Sequence, residues 1–189
     1  RIRYSEAVHP PVLRISDGSL MQAVFVDLDS TLADTRQRWD FIDPANRDKT
    51  DWAAYSMLCE NDVPVHSTIL LCQMLSAAGF AIIILSARSE KSRELTIEWL
   101  LRYKVPFMDV LLWTEEYESD MPQDVYKVTR LLDWSFVNPE FEPCLVIDDS
   151  PTIHKAMEHL GVPCLLVNPG YFKMVPEGFD AHPESGDVQ

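Results

Sequence analysis

The sequence lacks the features that would place it in a membrane, in an oxidising compartment or among zinc proteins. Its longest apolar run, residues 80–85, is far too short to span a bilayer. No charged-then-apolar leader opens the chain, so we expect a cytoplasmic protein with no membrane partner. The four cysteines form no CxxC pair and lie far apart in apolar neighbourhoods, which indicates reduced, buried thiols. The five histidines show no spacing typical of metal ligands.

Basic residues are also scarce. Sixteen lysines and arginines stand against thirty aspartates and glutamates, which gives a net charge of −14. A surface of this kind repels long phosphate backbones and favours a small or cationic partner, or a metal ion. The composition therefore argues against broad nucleic-acid binding, although it is compatible with a local basic patch. No segment indicates an obligatory protein partner.

What the sequence does contain is a regular alternation of buried strands and helices. Short apolar runs predict strands at 23–26, 80–85, 110–113, 144–147 and 164–167. Helical periodicity with glycine or proline stops predicts helices at 67–78, 89–103, 125–134 and 152–160. This alternation is typical of an α/β fold in which a Rossmann-like parallel sheet carries helices on both faces.

One long polar segment, 34–65, interrupts this alternation between the first strand and its helix. It is rich in aspartate, arginine and aromatic residues. Loops of this length are usually functional, and we expect a short cap insert here. We therefore predict one domain over 22–172, preceded by an N-terminal extension over 1–21 and followed by an acidic, flexible tail over 173–189.

Polar residues follow three of the predicted strands, at the end where parallel sheets bind ligands. The first strand is followed by DLDST (27–31), the second by SAR (86–88) and the fourth by DDS (148–150). Carboxylates at adjacent strand ends repel one another unless a cation neutralises them, and hard oxygen ligands suit Mg²⁺. Arg88 and Lys127 would add positive charge for an anion that shares the metal. These residue types predict a phosphoryl-transfer site.

Four motifs in this order resemble those of haloacid-dehalogenase-type (HAD) phosphohydrolases. VFVDLDSTLADT resembles the first motif, ILSAR the second and VIDDSP the fourth, while Lys127 in DVYKVTRLL fits the lone lysine of the third. Within the superfamily, the SAR triplet, the short insert and the ending IDDSPTIHKAMEHLGVPCLLVNPGYF are most similar to the phosphatase domain of phage polynucleotide kinase, which removes 3′-phosphates from nucleic-acid ends. Ser30 and Ala87 stand where glycine is usual, and no GxxxxGKS/T motif indicates a kinase half.

The resemblance implies a catalytic role for each matched residue. Asp27 would attack phosphorus and form an aspartyl-phosphate, and Asp29 would protonate the leaving oxygen and then activate water. Ser86 would donate a hydrogen bond to a phosphoryl oxygen, and Lys127 would neutralise charge on the nucleophile and the transferred group. Lys104 is the rival for the lysine role, but it follows a predicted helix, where a solvated side chain is expected.

The same resemblance implies a Mg²⁺ cofactor. Asp27, the backbone carbonyl of Asp29 and Asp148 would hold the metal, and Asp149 would hold a metal-bound water or the lysine. These four aspartates are the metal-site residues that the sequence predicts.

Substrate contacts are expected from the first and second motifs and from the insert. We predict that Thr31, Arg38, Trp39 and Arg88 bind the substrate. Several insert side chains could stack on a base or hold a sugar or phosphate, namely Arg36, Arg38, Trp39, Phe41, Trp52 and Tyr55. The alternative is that the aromatic residues only pack the insert onto the sheet. For Arg88, the alternative is an ion pair with a glutamate of the following helix, Glu90 or Glu94.

The expected activity is Mg²⁺-dependent hydrolysis of a phosphomonoester on a nucleic-acid 3′-end or a nucleotide. The motifs favour the strand end, whereas the net charge of −14 favours a mononucleotide, so a nucleoside monophosphate phosphatase is the alternative. A protein phosphatase is a less suitable alternative, because the HAD-type protein phosphatases that share the DLDxT motif usually lack the arginine of SAR. A catalytically idle binding module would be expected to lack Asp27, Asp29 or Lys127, and none of them is missing. A receiver domain of a two-component system has its acid pair first and its lone phosphate-accepting aspartate later. The order found here, DxDxT followed by DD, does not fit that pattern.

Overall fold

A five-stranded parallel sheet forms the centre of the computed structural model, which describes residues 20–42, 49–115 and 121–167. In chain order, the strands are β1 (Met21–Val26), β2 (Ala33–Asp34), β3 (Val63–Pro64), β4 (Ala81–Ser89), β5 (Asp109–Trp113), β6 (Phe141–Asp148) and β7 (Cys164–Leu166). The central sheet has the order β5-β4-β1-β6-β7, so β1 lies between β4 and β6. Residues 23–26 of β1 are fully buried, as their continuous apolar run predicts.

Helices cover both faces of this sheet. They are α1 (Trp52–Met57), α2 (His66–Ala77), α3 (Arg93–Arg102), α4 (Gln123–Val137) and α5 (Pro151–Leu160). Apolar residues of α2 and α3 pack with Val24 and Val26 on one face. Apolar residues of α4 and α5 pack with Ala23 and Phe25 on the other. The predicted Rossmann-like α/β fold is therefore confirmed.

The boundaries differ most where the second predicted strand ends. The prediction ends that strand at residue 85 and begins a helix at residue 89, whereas β4 continues to Ser89 and α3 begins only at Arg93. The register of β4 against β5 shifts between Leu85 and Ser89, so the chain stays extended through an irregularity. A backbone hydrogen bond of 3.2 Å from Ser89 to the Ser56 hydroxyl holds the end of this extended stretch.

The predicted cap insert contains short elements instead of one long loop. β2 pairs antiparallel with β3, which brings the two ends of the insert together. Between them lie a 3-10 helix (Arg36–Phe41), α1 and a second 3-10 helix (Leu58–Asn61). The Asp51 carboxylate caps α1 by accepting a hydrogen bond of 3.0 Å from the Ala54 amide. Because Ser56 of α1 accepts the hydrogen bond from Ser89 at the end of β4, the insert meets the sheet beside the carboxyl end of β4, next to the predicted site.

Several expectations concern the ends of the chain, the thiols and membranes. Residues 1–19 and the predicted tail lie outside the described residues. All four cysteines are free thiols, of which Cys59 and Cys72 are buried and Cys144 and Cys164 are half-buried. Within the described residues, no helix has both the length and the apolar composition needed to cross a membrane.

Candidate active site

The carboxyl edge of the sheet brings the three predicted motifs together. Asp27 and Asp29 follow β1, Ser86 lies near the end of β4, and Asp148 ends β6. Because β1 lies between β4 and β6, the three strand ends are neighbours. The Asp27 amide continues the sheet by donating a hydrogen bond of 3.0 Å to the Ile147 carbonyl. Sheet order, and not closeness in sequence, thus assembles the site.

Lys127 joins this edge from α4 and connects two of the strand ends. Its Nζ lies 2.8 Å from Oδ1 of Asp27 and 2.6 Å from Oδ2 of Asp148, and all three side chains are buried. Burial alone would lower the pKa of Lys127, but the charges of Asp148 and Asp27 outweigh it and raise the pKa. The ammonium therefore stays charged. Lys104 is exposed at the end of α3 and takes no part in the site.

Asp27, Asp148 and Asp149 form a compact group of carboxylates. One oxygen from each lies within 4.8 Å of the others. Burial raises the pKa of Asp27 to about 7, the nearby Asp148 adds to this effect, and Lys127 opposes it. Burial and the charges of Asp27 and Asp148 also raise the pKa of Asp149. With all three carboxylates ionised against one ammonium, the group would carry two excess negative charges among hard oxygen donors, and this donor set fits Mg²⁺.

Two neighbouring residues hold this carboxylate group in place, one through its hydroxyl and one through its backbone amide. The hydroxyl of Thr31, predicted to bind substrate, is buried and donates a 3.1 Å hydrogen bond to Oδ1 of Asp149. The Ser150 amide donates a 2.9 Å hydrogen bond to Oδ1 of Asp148, and its hydroxyl caps α5. Thr31 thus orients a carboxylate of the group, and its contact with substrate stays a prediction.

The Asp29 side chain lies apart from this group. Its Oδ1 accepts hydrogen bonds from Arg38 Nη2 at 2.8 Å and from Arg88 Nε and Nη2 at 2.8 and 2.5 Å. Burial would raise the pKa of Asp29, but the charges of Arg88 and Arg38 outweigh it and lower the pKa to about 2. The Asp29 carboxylate is therefore not a member of the group formed by Asp27, Asp148 and Asp149, and its predicted contribution to a metal site through the backbone carbonyl stays a prediction.

The turn after Asp29 explains why glycine is usual at position 30. Ser30 has a φ of 66°, in the left-handed region that non-glycine residues rarely adopt. This conformation lets the amides of Thr31, Leu32 and Ala33 all donate to the Leu28 carbonyl. The sharp turn keeps Asp27 and Asp29 at the same sheet edge with their side chains in different surroundings.

Asp62, which the sequence analysis did not single out, completes the surroundings of Asp29. It is fully buried, and its Oδ2 accepts hydrogen bonds from Arg38 Nη2 at 2.6 Å and Arg88 Nη2 at 2.8 Å. Arg38 Nε donates a further bond of 2.8 Å to Oδ1. We call Asp29, Asp62, Arg38 and Arg88 the arginine clamp. The indole of Trp99 donates to the Asp62 carbonyl at 2.8 Å, which fixes the backbone beside it.

The remaining predicted residues have the following places. Arg88 pairs with Asp29 and Asp62, so the alternative pairing with a nearby glutamate is wrong, and Glu90 pairs with Arg93 instead. The buried Ser86 hydroxyl accepts a 3.3 Å hydrogen bond from the Arg88 amide, which leaves its proton for donation.

Trp39 lies in the insert and is half-buried. Its indole donates a hydrogen bond of 3.3 Å to the Thr35 hydroxyl. Binding of substrate by Arg38, Trp39 and Arg88 stays a prediction.

Strand order, paired strand-end carboxylates and a buried lysine together define a phosphohydrolase of the HAD type. Residues 21–172 match the model of the family described as "Polynucleotide kinase PNKP phosphatase domain". The match covers most of the chain, and the chain belongs to this family. The protein is accordingly a HAD-type phosphatase, as the motifs predict. No sequence among the curated proteins matches this chain.

Solved structures share this fold at low sequence identity. A chain of the Pnkp1/Rnl/Hen1 complex is 21% identical with a TM-score of 0.60 over 88% of this chain and 51% of that one. This chain thus spans about half the length of that relative. The class C acid phosphatase of Bacillus anthracis is 13% identical with a TM-score of 0.55, over 78% of this chain and 66% of that one. A HAD-like hydrolase of Streptococcus pneumoniae is 12% identical with a TM-score of 0.52, over 77% of this chain and 84% of that one.

Proposed function

We propose that this protein is a Mg²⁺-dependent phosphomonoesterase that acts through an aspartyl-phosphate on a nucleic-acid 3′-phosphate or a nucleotide. One observation carries the proposal. Asp27 is buried against Lys127 at 2.8 Å, within a compact group of three buried carboxylates. A nucleophilic carboxylate next to a fixed cation and a donor set for a second cation is suited to attack on a phosphate dianion.

The first step transfers the phosphoryl group to the protein. An Oδ of Asp27 forms a bond to phosphorus, and the bond between phosphorus and the ester oxygen breaks. The leaving oxygen takes its electron pair and receives a proton from Asp29, whose pKa of about 2 in the ligand-free protein must rise when the phosphate dianion binds beside it. Lys127 and the Ser86 hydroxyl stabilise the charge on the transferred group. Mg²⁺ held by Asp27, Asp148 and the Asp29 carbonyl, with support from Asp149, would reduce the repulsion between substrate and nucleophile.

The second step releases the phosphate. Asp29 takes a proton from a water molecule, whose oxygen attacks phosphorus and breaks the bond to Asp27. This restores the Asp27 carboxylate and leaves Asp29 protonated for the next cycle. Among the described residues, the arginine hydrogen bonds to the Asp29 side chain all end at Oδ1, and the side chain is 31% exposed. The arginine clamp therefore orients the carboxyl group and leaves Oδ2 for these proton transfers.

The proposal is tested by phosphate release from a substrate panel. Purified protein with Mg²⁺ receives 3′- and 5′-nucleoside monophosphates and a 3′-phosphorylated oligonucleotide. We expect release of inorganic phosphate from at least one of them, and no release by an Asp27→Asn variant. Release at the same rate by both proteins would contradict the assignment of Asp27. A nucleoside monophosphate phosphatase is the second candidate, and preference for the mononucleotides would identify it.

A further inference from the structure

Three aromatic side chains of the insert form a surface group beside the arginine clamp. Tyr55 is buried, and its ring centroid lies 5.5 Å from that of Trp52 and 6.3 Å from that of Phe41. Trp52 is 40% exposed and Phe41 is 44% exposed. We call these three residues the aromatic rim. Packing explains Tyr55, but it does not explain why two large rings around it stay open to solvent.

Arg38 connects the aromatic rim to the site. Its Cζ lies 4.5 Å from the Tyr55 ring centroid, and its Nη1 donates a hydrogen bond of 3.1 Å to the Tyr55 carbonyl. Its Nη2 binds Asp29 at 2.8 Å. The rim is therefore one side chain away from the residue proposed to protonate the leaving oxygen. In the proposed mechanism the leaving group lies beside Asp29, on the side of the site where Arg38 connects Asp29 to Tyr55 of the rim.

Among the described residues, the arginines of the insert and of the second motif that could hold a phosphate backbone are engaged in ion pairs. Arg38 and Arg88 are buried in the arginine clamp, and Arg36 pairs with Asp34 at 2.5 Å. Lys49 is exposed, and Arg47 lies outside the described residues. The chain as a whole carries a net charge of −14. Binding several phosphates of a strand requires exposed cations, so these contacts favour recognition through rings instead.

We infer that the substrate is recognised by its phosphate-bearing terminal nucleoside, whose base stacks on Trp52 and Phe41, and that upstream phosphates contribute little. This inference rests on the proposed function and specifies its substrate class. Short nucleotides and strand ends are then comparable substrates, because each presents the same terminal nucleoside. An abasic sugar phosphate lacks the stacking group and is a poor substrate.

The stacking part is tested by comparing a nucleoside 3′-monophosphate with abasic ribose 3-phosphate. We expect Trp52→Ala and Phe41→Ala each to lower the ratio of the two kcat/KM values about tenfold, the loss that one base–aromatic stack causes. Trp52→Phe should keep most of the ratio. Met57→Ala is the matched control, because Met57 is a 44% exposed apolar residue of the same helix outside the rim. An unchanged ratio in both alanine variants overturns the stacking inference.

The backbone part is tested with a 3′-phosphorylated oligonucleotide at low and physiological salt. We expect kcat/KM to fall little with salt and to resemble that of the mononucleotide. A steep fall, which would indicate release of several counterions, overturns this part.

Binding separates failure of this inference from failure of the proposed function. The Asp27→Asn protein with Mg²⁺ should bind the nucleoside 3′-monophosphate about tenfold more tightly than the abasic sugar phosphate, measured by calorimetry without turnover. Absence of phosphate release from every substrate by the wild-type protein would refute the proposed function alone. Equal affinity for the two ligands would refute the stacking alone. Melting curves of each variant confirm that it is folded.

Discussion

Asp27 and Asp29 are two residues apart in the chain but lie in opposite electrostatic surroundings. Asp27 belongs to a group in which three buried carboxylates face one ammonium, and burial raises its pKa to about 7. Asp29 belongs to the arginine clamp, in which two carboxylates face two guanidiniums. Burial acts on its pKa in the same direction, yet the arginines hold that pKa at about 2.

The difference separates a group of crowded like charges from a group of paired opposite charges. The carboxylate group around Asp27 has excess negative charge, so its repulsion is relieved only when a cation binds or a carboxylate takes up a proton. The arginine clamp is balanced, and its hydrogen bonds fix the orientation of Asp29 without any ligand. One sheet edge thus has two halves, a carboxylate half around Asp27, in which like charges are crowded, and the arginine clamp, in which opposite charges are already paired.

Replacement of the central carboxylate should have the largest effect on activity. We expect Asp27→Asn to lower kcat by about 10³-fold or more, because the covalent path is lost. The melting temperature of the metal-free variant should rise, since one member of a crowded set of like charges is gone. Substantial turnover by the purified variant would exclude Asp27 as the nucleophile. A lower melting temperature would mean that the contact with Lys127 outweighs the repulsion.

Removal of metal should have the second-largest effect on activity, and it should act on the carboxylates around Asp27 and not on the arginine clamp. We expect EDTA to stop activity and Mg²⁺ to restore it, with Ca²⁺ a poor substitute because it prefers more ligands and longer bonds. Mg²⁺ should also raise the melting temperature by binding only the folded protein. Asp148→Asn should abolish most of that rise. Glu142→Gln, an exposed residue of the same strand, should leave it intact. Full activity after exhaustive chelation would refute metal dependence.

Removing one carboxylate from the arginine clamp should lower the free energy of unfolding. We expect Asp62→Asn to lower the free energy of unfolding by about 3–5 kcal/mol, because two buried guanidiniums then share only Asp29. Glu90→Gln breaks an ion pair whose side chains are 39% and 36% exposed, so the loss there should stay below about 1 kcal/mol. Urea denaturation of both variants measures the difference. Equal losses would show that the arginine clamp does not depend on Asp62.

Sequence reasoning found the first half of the site and only part of the second. The apolar run of β1 places Asp27 at a sheet edge, and Lys127 is identified through its resemblance to the third HAD motif. Asp62 gives no comparable signal, because an acid before a short strand is ordinary in a turn. Its role depends on Arg38 and Arg88, which lie 24 and 26 residues away in the chain. Pattern reasoning offered only nearby glutamates as alternative partners of Arg88, because it describes local neighbours.

The turn between the two halves gives the smallest expected effect. Ser30 adopts a φ of 66°, which glycine accepts without strain, so we expect Ser30→Gly to raise the free energy of unfolding by about 0.5–1 kcal/mol. Gly161 is the matched control, because its φ of 82° ends α5 and a Cβ added there would meet no atom within 4 Å. Gly161→Ala should therefore lower the same free energy by about 1 kcal/mol through backbone strain alone. Changes of the same sign at both positions would mean that contacts of the Ser30 side chain, and not its backbone, decide the stability of this turn.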